Sequence, residues 1–158
     1  MKAYELKIAL RGQSPEVWRR VLVPEELTFS QLALVFNLAM GWEKETVFSF
    51  LLPHKKMVIT ELSEEQAHGE RLKEAAVVQI CSHLERAGAF LYLYANRREM
   101  RHDVHLEKIV EPWSGRAPQV LEWSGARTAA SVLEGAKEAD GVRYDMDAVN
   151  EKLALWCR

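Results

Sequence analysis

Between Tyr4 and Arg11 the chain alternates strictly, with Tyr4, Leu6, Ile8 and Leu10 set against Glu5, Lys7 and Arg11. Successive side chains of a strand point to opposite faces, so the pattern fits a half-buried strand and no helix. It also demands a layer on one side to cover the apolar set, while the other side stays wet. Gly12-Gln13-Ser14-Pro15 reads as a turn, and Val17 to Val23 as a second, antiparallel strand closed by Pro24.

The covering layer follows directly. Thr28 and Gln31 form a T-x-x-Q capping box, in which each side chain satisfies the other's free backbone N–H. Leu27 and Leu32 occupy the staple positions around it. Leu32, Val35, Phe36 and Ala39 keep helical spacing, and Leu34 and Leu38 widen the stripe, so a deeply buried helix ends at Gly41.

Thr46 to Leu52 reads as a third strand, followed by the turn His54-Lys55-Lys56 and a short apolar run, Met57 to Ile59. Glu61 to Glu74 reads as a polar surface loop with a helical turn, Val77 to Ile80 as a short strand, and Ser82 to Arg86 as a helical turn. Ala89 to Ala95 is apolar on both faces, the pattern of a central strand. Asn96 to Glu99 turns the chain into a hairpin partner, Arg101 to Val110, and the connector Pro112 to Pro118 leads to an edge strand at Gln119 to Trp123. Two helices are expected at the C-terminal end, Thr128 to Glu138 and Asp145 to Trp156, the second with a stripe of Met146, Val149, Leu153 and Trp156. The fold class is therefore α+β: a single domain over residues 1–158, a largely antiparallel sheet of about five or six strands, one buried helix on it and two C-terminal helices.

Bulk properties exclude several function classes. At 158 residues, 48% hydrophobic and 28% charged, the chain is long enough for one substantial core and too apolar for disorder. A net charge of −2 supplies no global attraction to nucleic acid or membrane. Cys81 and Cys157 make neither a disulfide framework nor a C-x-x-C pair. The N-terminus has no apolar signal region, and no apolar run approaches the ~18 residues of a bilayer span. A cytoplasmic protein is expected.

Several segments carry a family pattern: Tyr4-Glu5-Leu6-Lys7-Ile8, Pro15-Glu16-Val17-Trp18-Arg19-Arg20-Val21 and Ala39-Met40-Gly41-Trp42. Phe90 to Tyr94, His102 to Ile109 and Tyr144 to Leu153 continue it. In these the chain resembles the plasmid pRiA4b ORF-3-like family. The resemblance implies an α+β domain, often encoded near mobile elements, with resolvase or repressor labels on some members. The family's Asp-Phe-Gly-Asp-Ser-Trp after the central Tyr is here Ala95-Asn96-Arg97-Arg98-Glu99-Met100, so both acids, the Gly and the Trp are replaced. The later Cys-, Pro- and Gly-rich loop of the family is also missing.

No pattern of residues assembles a catalytic centre. His102 and His105, three apart on a strand, point to opposite faces and do not share an ion without a bulge and a carboxylate such as Asp103 or Glu107. His54, His68 and His83 stand alone in sequence. Ser14 beside Arg11, Arg19 and Arg20 is the nearest imitation of a resolvase nucleophile, and an ordinary turn serine explains it equally well. Gly12, Gly41 and Gly69 form no phosphate loop. No cofactor or metal is expected.

Two binding readings remain. Arg97, Arg98 and Arg101 at a hairpin tip, with Lys55 and Lys56, form a candidate nucleic-acid patch, although a solvated tip carries the same charges. Trp42 and Trp156 fit the core, whereas Trp113 and Trp123 flank the connector and are candidate anchors for a protein partner or a second copy. The leading expectation is a non-catalytic binding or regulatory accessory protein; weak nucleic-acid binding is the alternative.

Overall fold

The computed structural model describes residues 1–12, 16–42, 47–61, 72–95, 99–125 and 144–156, apart from the Trp156 side chain. The N-terminal alternation forms β1 (Ala3–Leu10), and the turn after it leads into β2 (Trp18–Pro24). The capping box is present in full: Thr28 caps α1 (Phe29–Met40), Gln31 returns the bond, and Gly41 ends the helix at φ 83°. That left-handed angle costs glycine nothing, which is why the helix stops there.

Six further strands complete the sheet: β3 (Val47–Leu52), β4 (Met57–Thr60), β5 (Leu72–Glu74), β6 (Ala89–Ala95), β7 (Glu99–Val110) and β8 (Gln119–Ser124), with a single 3-10 turn at Pro53–Lys55 between β3 and β4. A second 3-10 turn at Ile80–Ser82 and the one-turn helix α2 (Leu84–Ala87) precede β6, and α3 (Met146–Trp156) follows β8. The strand order is β5-β4-β3-β6-β7-β1-β2-β8, with every pairing antiparallel except β4 with β5.

The sheet thus has eight strands rather than five or six. The surplus comes mainly from β4 and β5, too short to express a period. The polar Leu72-Lys73-Glu74 lies in what reads as a loop, and Val77 to Ile80, the expected strand, is instead a turn with one isolated bridge from Gln79 to Thr28. The expected helix at 128–138 lies outside the described residues.

The large apolar strand residues on one face share a core with α1. Tyr4, Leu6 and Ile8 of β1, Phe50 of β3 and Tyr92 of β6 are fully buried with Leu32, Val35 and Phe36 of the helix. An aromatic cluster centres there, with Phe50 5.0 Å from Tyr92 and Phe36 5.3 Å from Tyr92 between ring centroids. Leu153 of α3 joins the same core. On the opposite face, Leu91 and Leu93 of β6 stay partly exposed, next to charged residues of β1, β2 and β7.

Two register shifts interrupt the ladders. Glu5 pairs with Lys108 and Leu6 with Leu106, leaving Glu107 as a bulge; Arg20 pairs with Glu122 and Val21 with Val120, leaving Leu121 as another. At the β8 edge, Asn150 of α3 accepts the Val120 N–H on Oδ1 at 2.7 Å and donates from Nδ2 to the Val120 carbonyl at 3.1 Å. Among the described residues, no helix is long and apolar enough to cross a membrane.

Candidate functional site

The arginine pair of the Trp-Arg-Arg segment splits across the sheet, as alternation requires. Arg20 lies on the open face, where the Glu107 bulge brings that carboxylate within 2.7 Å across β1 and Glu122 stands 3.0 Å away on β8. Arg19 is fully buried. Its Nε donates to the Ala39 carbonyl at 3.0 Å, and Nη1 donates to the Trp18 and Ser124 carbonyls, both at 2.9 Å. Its guanidinium carbon lies 3.8 Å from the centroid of the Tyr144 ring. Burial lowers its pKa, and no carboxylate among the described residues reaches it. The carbonyl end of α1, where Ala39 sits, carries the negative end of the helix dipole and offsets the buried charge. Arg19 is therefore a structural tie between α1, β2 and β8. Arg11, eight residues before Arg19, is held by Asp103 at 2.6 Å, so of the three arginines only Arg19 is buried. Ser14 lies outside the described residues.

His102 and His105 do face apart. His105 is exposed, whereas His102 is fully buried beside Tyr92 of β6 and Trp42, just after α1. The Trp42 indole N–H donates to His102 Nε2 at 3.0 Å, and Nδ1 lies 3.1 Å from the Tyr92 carbonyl. An indole nitrogen only donates, so Nε2 is unprotonated and the ring proton sits on Nδ1. Burial pushes the His102 pKa down to about 4, partly opposed by its backbone bonds, and the ring is neutral at pH 7. The Tyr92 hydroxyl donates to Asn37 Oδ1 at 2.5 Å, continuing the polar seam into α1. Asp103 and Glu107, the carboxylates nearest to these histidines in sequence, are held below their ordinary pKa by hydrogen bonds from Arg11 and Arg20. Among the described residues, no three His, Cys, Asp or Glu side chains gather at metal-binding distance.

Of the candidate nucleic-acid residues, the described ones, Lys55, Lys56 and Arg101, are not brought together. Lys55 and Lys56 follow the end of β3, beyond the start of β6, while Arg101 pairs with Leu93 towards the other end of β6. That strand of seven residues is roughly 20 Å long. Arg101 is also held by Glu99 at 2.9 Å, and Arg97 and Arg98 lie outside the described residues. Trp113 and Trp123 are both partly exposed. The Trp123 ring packs 5.1 Å from Tyr144, and the Trp113 ring lies where a side chain on Gly115 would have to go. Trp42 is core, 4% exposed.

A different cluster forms at the Lys55 end of the sheet. His83, at the start of α2, packs 6.3 Å from Phe29 and 6.4 Å from His54 between ring centroids. Burial lowers the His83 pKa, and Lys55, His54, Arg86 and Lys73 lower it further. These groups come from four places: the 3-10 turn after β3, β5, α2 and the residue that starts it. Lys55, Lys73 and Arg86 are exposed, and none forms an ion pair with a described residue. His83 Nδ1 is buried without a hydrogen-bond partner. Nearby Glu85 turns away, accepting from the Tyr4 hydroxyl at 2.8 Å and pairing with Lys2 at 3.4 Å. The arrangement gathers several positive charges that no described carboxylate pairs, and is suited to holding an anion. Only Lys55 of this set stands out in sequence. Lys73, His83 and Arg86 carry no motif that singles them out.

Comparison with known proteins agrees with this fold. The chain is 24% identical to MM3350 from Methanosarcina mazei Go1, a protein of unknown function whose crystal structure superposes with a TM-score of 0.62 over 98% of this chain and 89% of that one. It is 30% identical over 122 residues to the uncharacterized protein y4hQ of Sinorhizobium fredii (strain NBRC 101917 / NGR234), matching 76% of this chain and 61% of that relative's length. The model of the plasmid pRiA4b ORF-3-like proteins matches residues 2–142. The segments Tyr4–Ile8, Pro15–Val21, Ala39–Trp42 and Phe90–Tyr94 all fall within that match, and the chain belongs to the plasmid pRiA4b ORF-3-like family.

Proposed function

We propose that this chain is a non-catalytic binding module, an accessory rather than an enzyme, that docks an acidic segment of a partner protein at the Lys55–Lys73–Arg86 corner. The observation that carries this reading is the convergence on His83 of His54 and three exposed cations, none of them ion-paired with a described residue, from the turn after β3, β5 and α2. Like charges gathered without neutralisation destabilise the free protein slightly and attract an anion in return. A compact corner suits a short acidic segment better than a nucleic-acid backbone, which needs a track of charges several nucleotides long. Arg101, the remaining described member of the candidate tip, sits towards the far end of β6 and is already engaged by Glu99.

The test is a binding titration with an octaglutamate peptide and with a single-stranded oligonucleotide of equal charge, at low and physiological salt. Peptide binding that weakens with salt and drops at least about tenfold in Lys55→Ala/Lys73→Ala/Arg86→Ala supports the reading. Tighter binding of the oligonucleotide, lost in Arg101→Ala, would replace it with the nucleic-acid alternative.

A further inference from the structure

The corner around His83 points to a narrower ligand class than acidic peptides in general. We propose that it takes a compact doubly charged oxyanion of the phosphate-ester type, carried on the partner segment, and that His83 takes up a proton when the anion binds. This rests on the reading of the corner as an anion-binding site.

Among the described residues, the charged or titratable groups that act most on His83 are cations or another histidine. His54 and Lys55 approach from the 3-10 turn after β3, Lys73 from β5 and Arg86 from one turn along α2; α1 contributes only the uncharged Phe29 ring. With no described carboxylate in this set, the free site holds His83 neutral, since adding a proton there would place one more positive charge among four cationic or histidine neighbours. A bound dianion reverses that balance. Its two negative charges attract each surrounding cation about twice as strongly as a carboxylate's one, and they favour the imidazolium form of His83. The proton comes from solvent, and no bond is made or broken in the ligand. The N-terminus of α1, close by, does not compete for the anion. Phe29 N–H donates to the Val78 carbonyl, Ser30 N–H to the Ala75 carbonyl and Gln31 N–H to the Thr28 hydroxyl.

Sulfate is the probe, because it remains a dianion from pH 5.5 to 7.5 and any pH dependence then belongs to the protein. Titration calorimetry should show one sulfate bound per chain, with affinity rising about tenfold as pH falls across that range and with acetate at least about tenfold weaker. In His83→Gln the pH dependence should flatten, while His54→Gln should retain most of it. Equal pH dependence in wild type and His83→Gln, or acetate binding as well as sulfate, overturns the inference. Octaglutamate binding without sulfate binding overturns it alone and leaves the proposed function standing. If neither ligand binds, both fall.

Discussion

Asn150 stands to Val120 as a neighbouring strand would, taking both the N–H and the carbonyl that face outward from β8. An exposed edge strand is a template for pairing with another chain, and a side-chain amide that occupies both groups blocks it. Asn150→Ala should cost about 1–2 kcal/mol in urea unfolding, since two polar backbone groups lose their partners. It should also raise the native mass at high protein concentration, measured by light scattering. An unchanged mass would mean that the rest of α3 protects the edge without the amide.

Acid should weaken the protein through His102. Its pKa is about 4 in the folded protein against an ordinary 6.5. Above pH 6.5 neither state is protonated and the contribution to stability is complete. Below pH 6.5 the unfolded chain takes up a proton that the folded chain refuses, so stability is lost progressively until about pH 4. Between pH 7 and pH 5 the loss should be about 2 kcal/mol greater than in His102→Gln, whose amide oxygen can still accept from Trp42. Parallel stability curves for the two proteins would contradict this assignment.

The two arginines of the Trp-Arg-Arg segment should respond very differently to truncation. Arg19→Met removes three carbonyl hydrogen bonds from the interior and should destabilise by about 3 kcal/mol or more. Arg20→Ala breaks two ion pairs on the open face and should cost at most about 1 kcal/mol, less at high salt. Denaturation midpoints at low and high salt separate the cases. Similar losses for both variants would show that the open-face lattice matters more than solvent screening allows.

The capping box is a local test of α1. Thr28→Ala should lower stability by about 1 kcal/mol, because the Gln31 N–H loses its acceptor at the Thr28 hydroxyl. Thr28→Ser, which keeps the oxygen, should restore most of that loss. Failure of serine to do so would point to packing of the Thr28 methyl group as the larger contribution.

The elements with a period of their own were legible in the sequence. β1 announced itself by alternation, α1 by its cap and stripe, and β6 by apolar residues on both faces. The opposite orientations of Arg19 and Arg20, and of His102 and His105, follow from the same alternation. What was not legible depends on partners distant in the chain. Leu72-Lys73-Glu74 becomes a strand only because β4 offers it an edge, and Lys55, Lys73, His83 and Arg86 meet only because the β3–β4 turn, β5 and α2 end at one corner. Only His83 and Arg86, one helical turn apart, are joined locally; nothing local to Lys55 or Lys73 encodes the others. The buried fate of Arg19 is a middle case: alternation put it on the core face, but its carbonyl partners come from α1 and β8.

β7 pairs with β6 along one side and with β1 along the other, and so forms the seam between two hairpin systems. On one side lie β3, β4 and β6, drawn from residues 47–95; on the other lie β1 and β2, drawn from residues 3–24. A ribosome releases the first strand long before residues 99–110 exist to close the sheet against it. Until then β1 and β2 must wait as a bare hairpin, open on the side that β7 will cover. The long-range pairing that makes this sheet continuous thus also sets its order of assembly, with the central joint made after the pieces it joins.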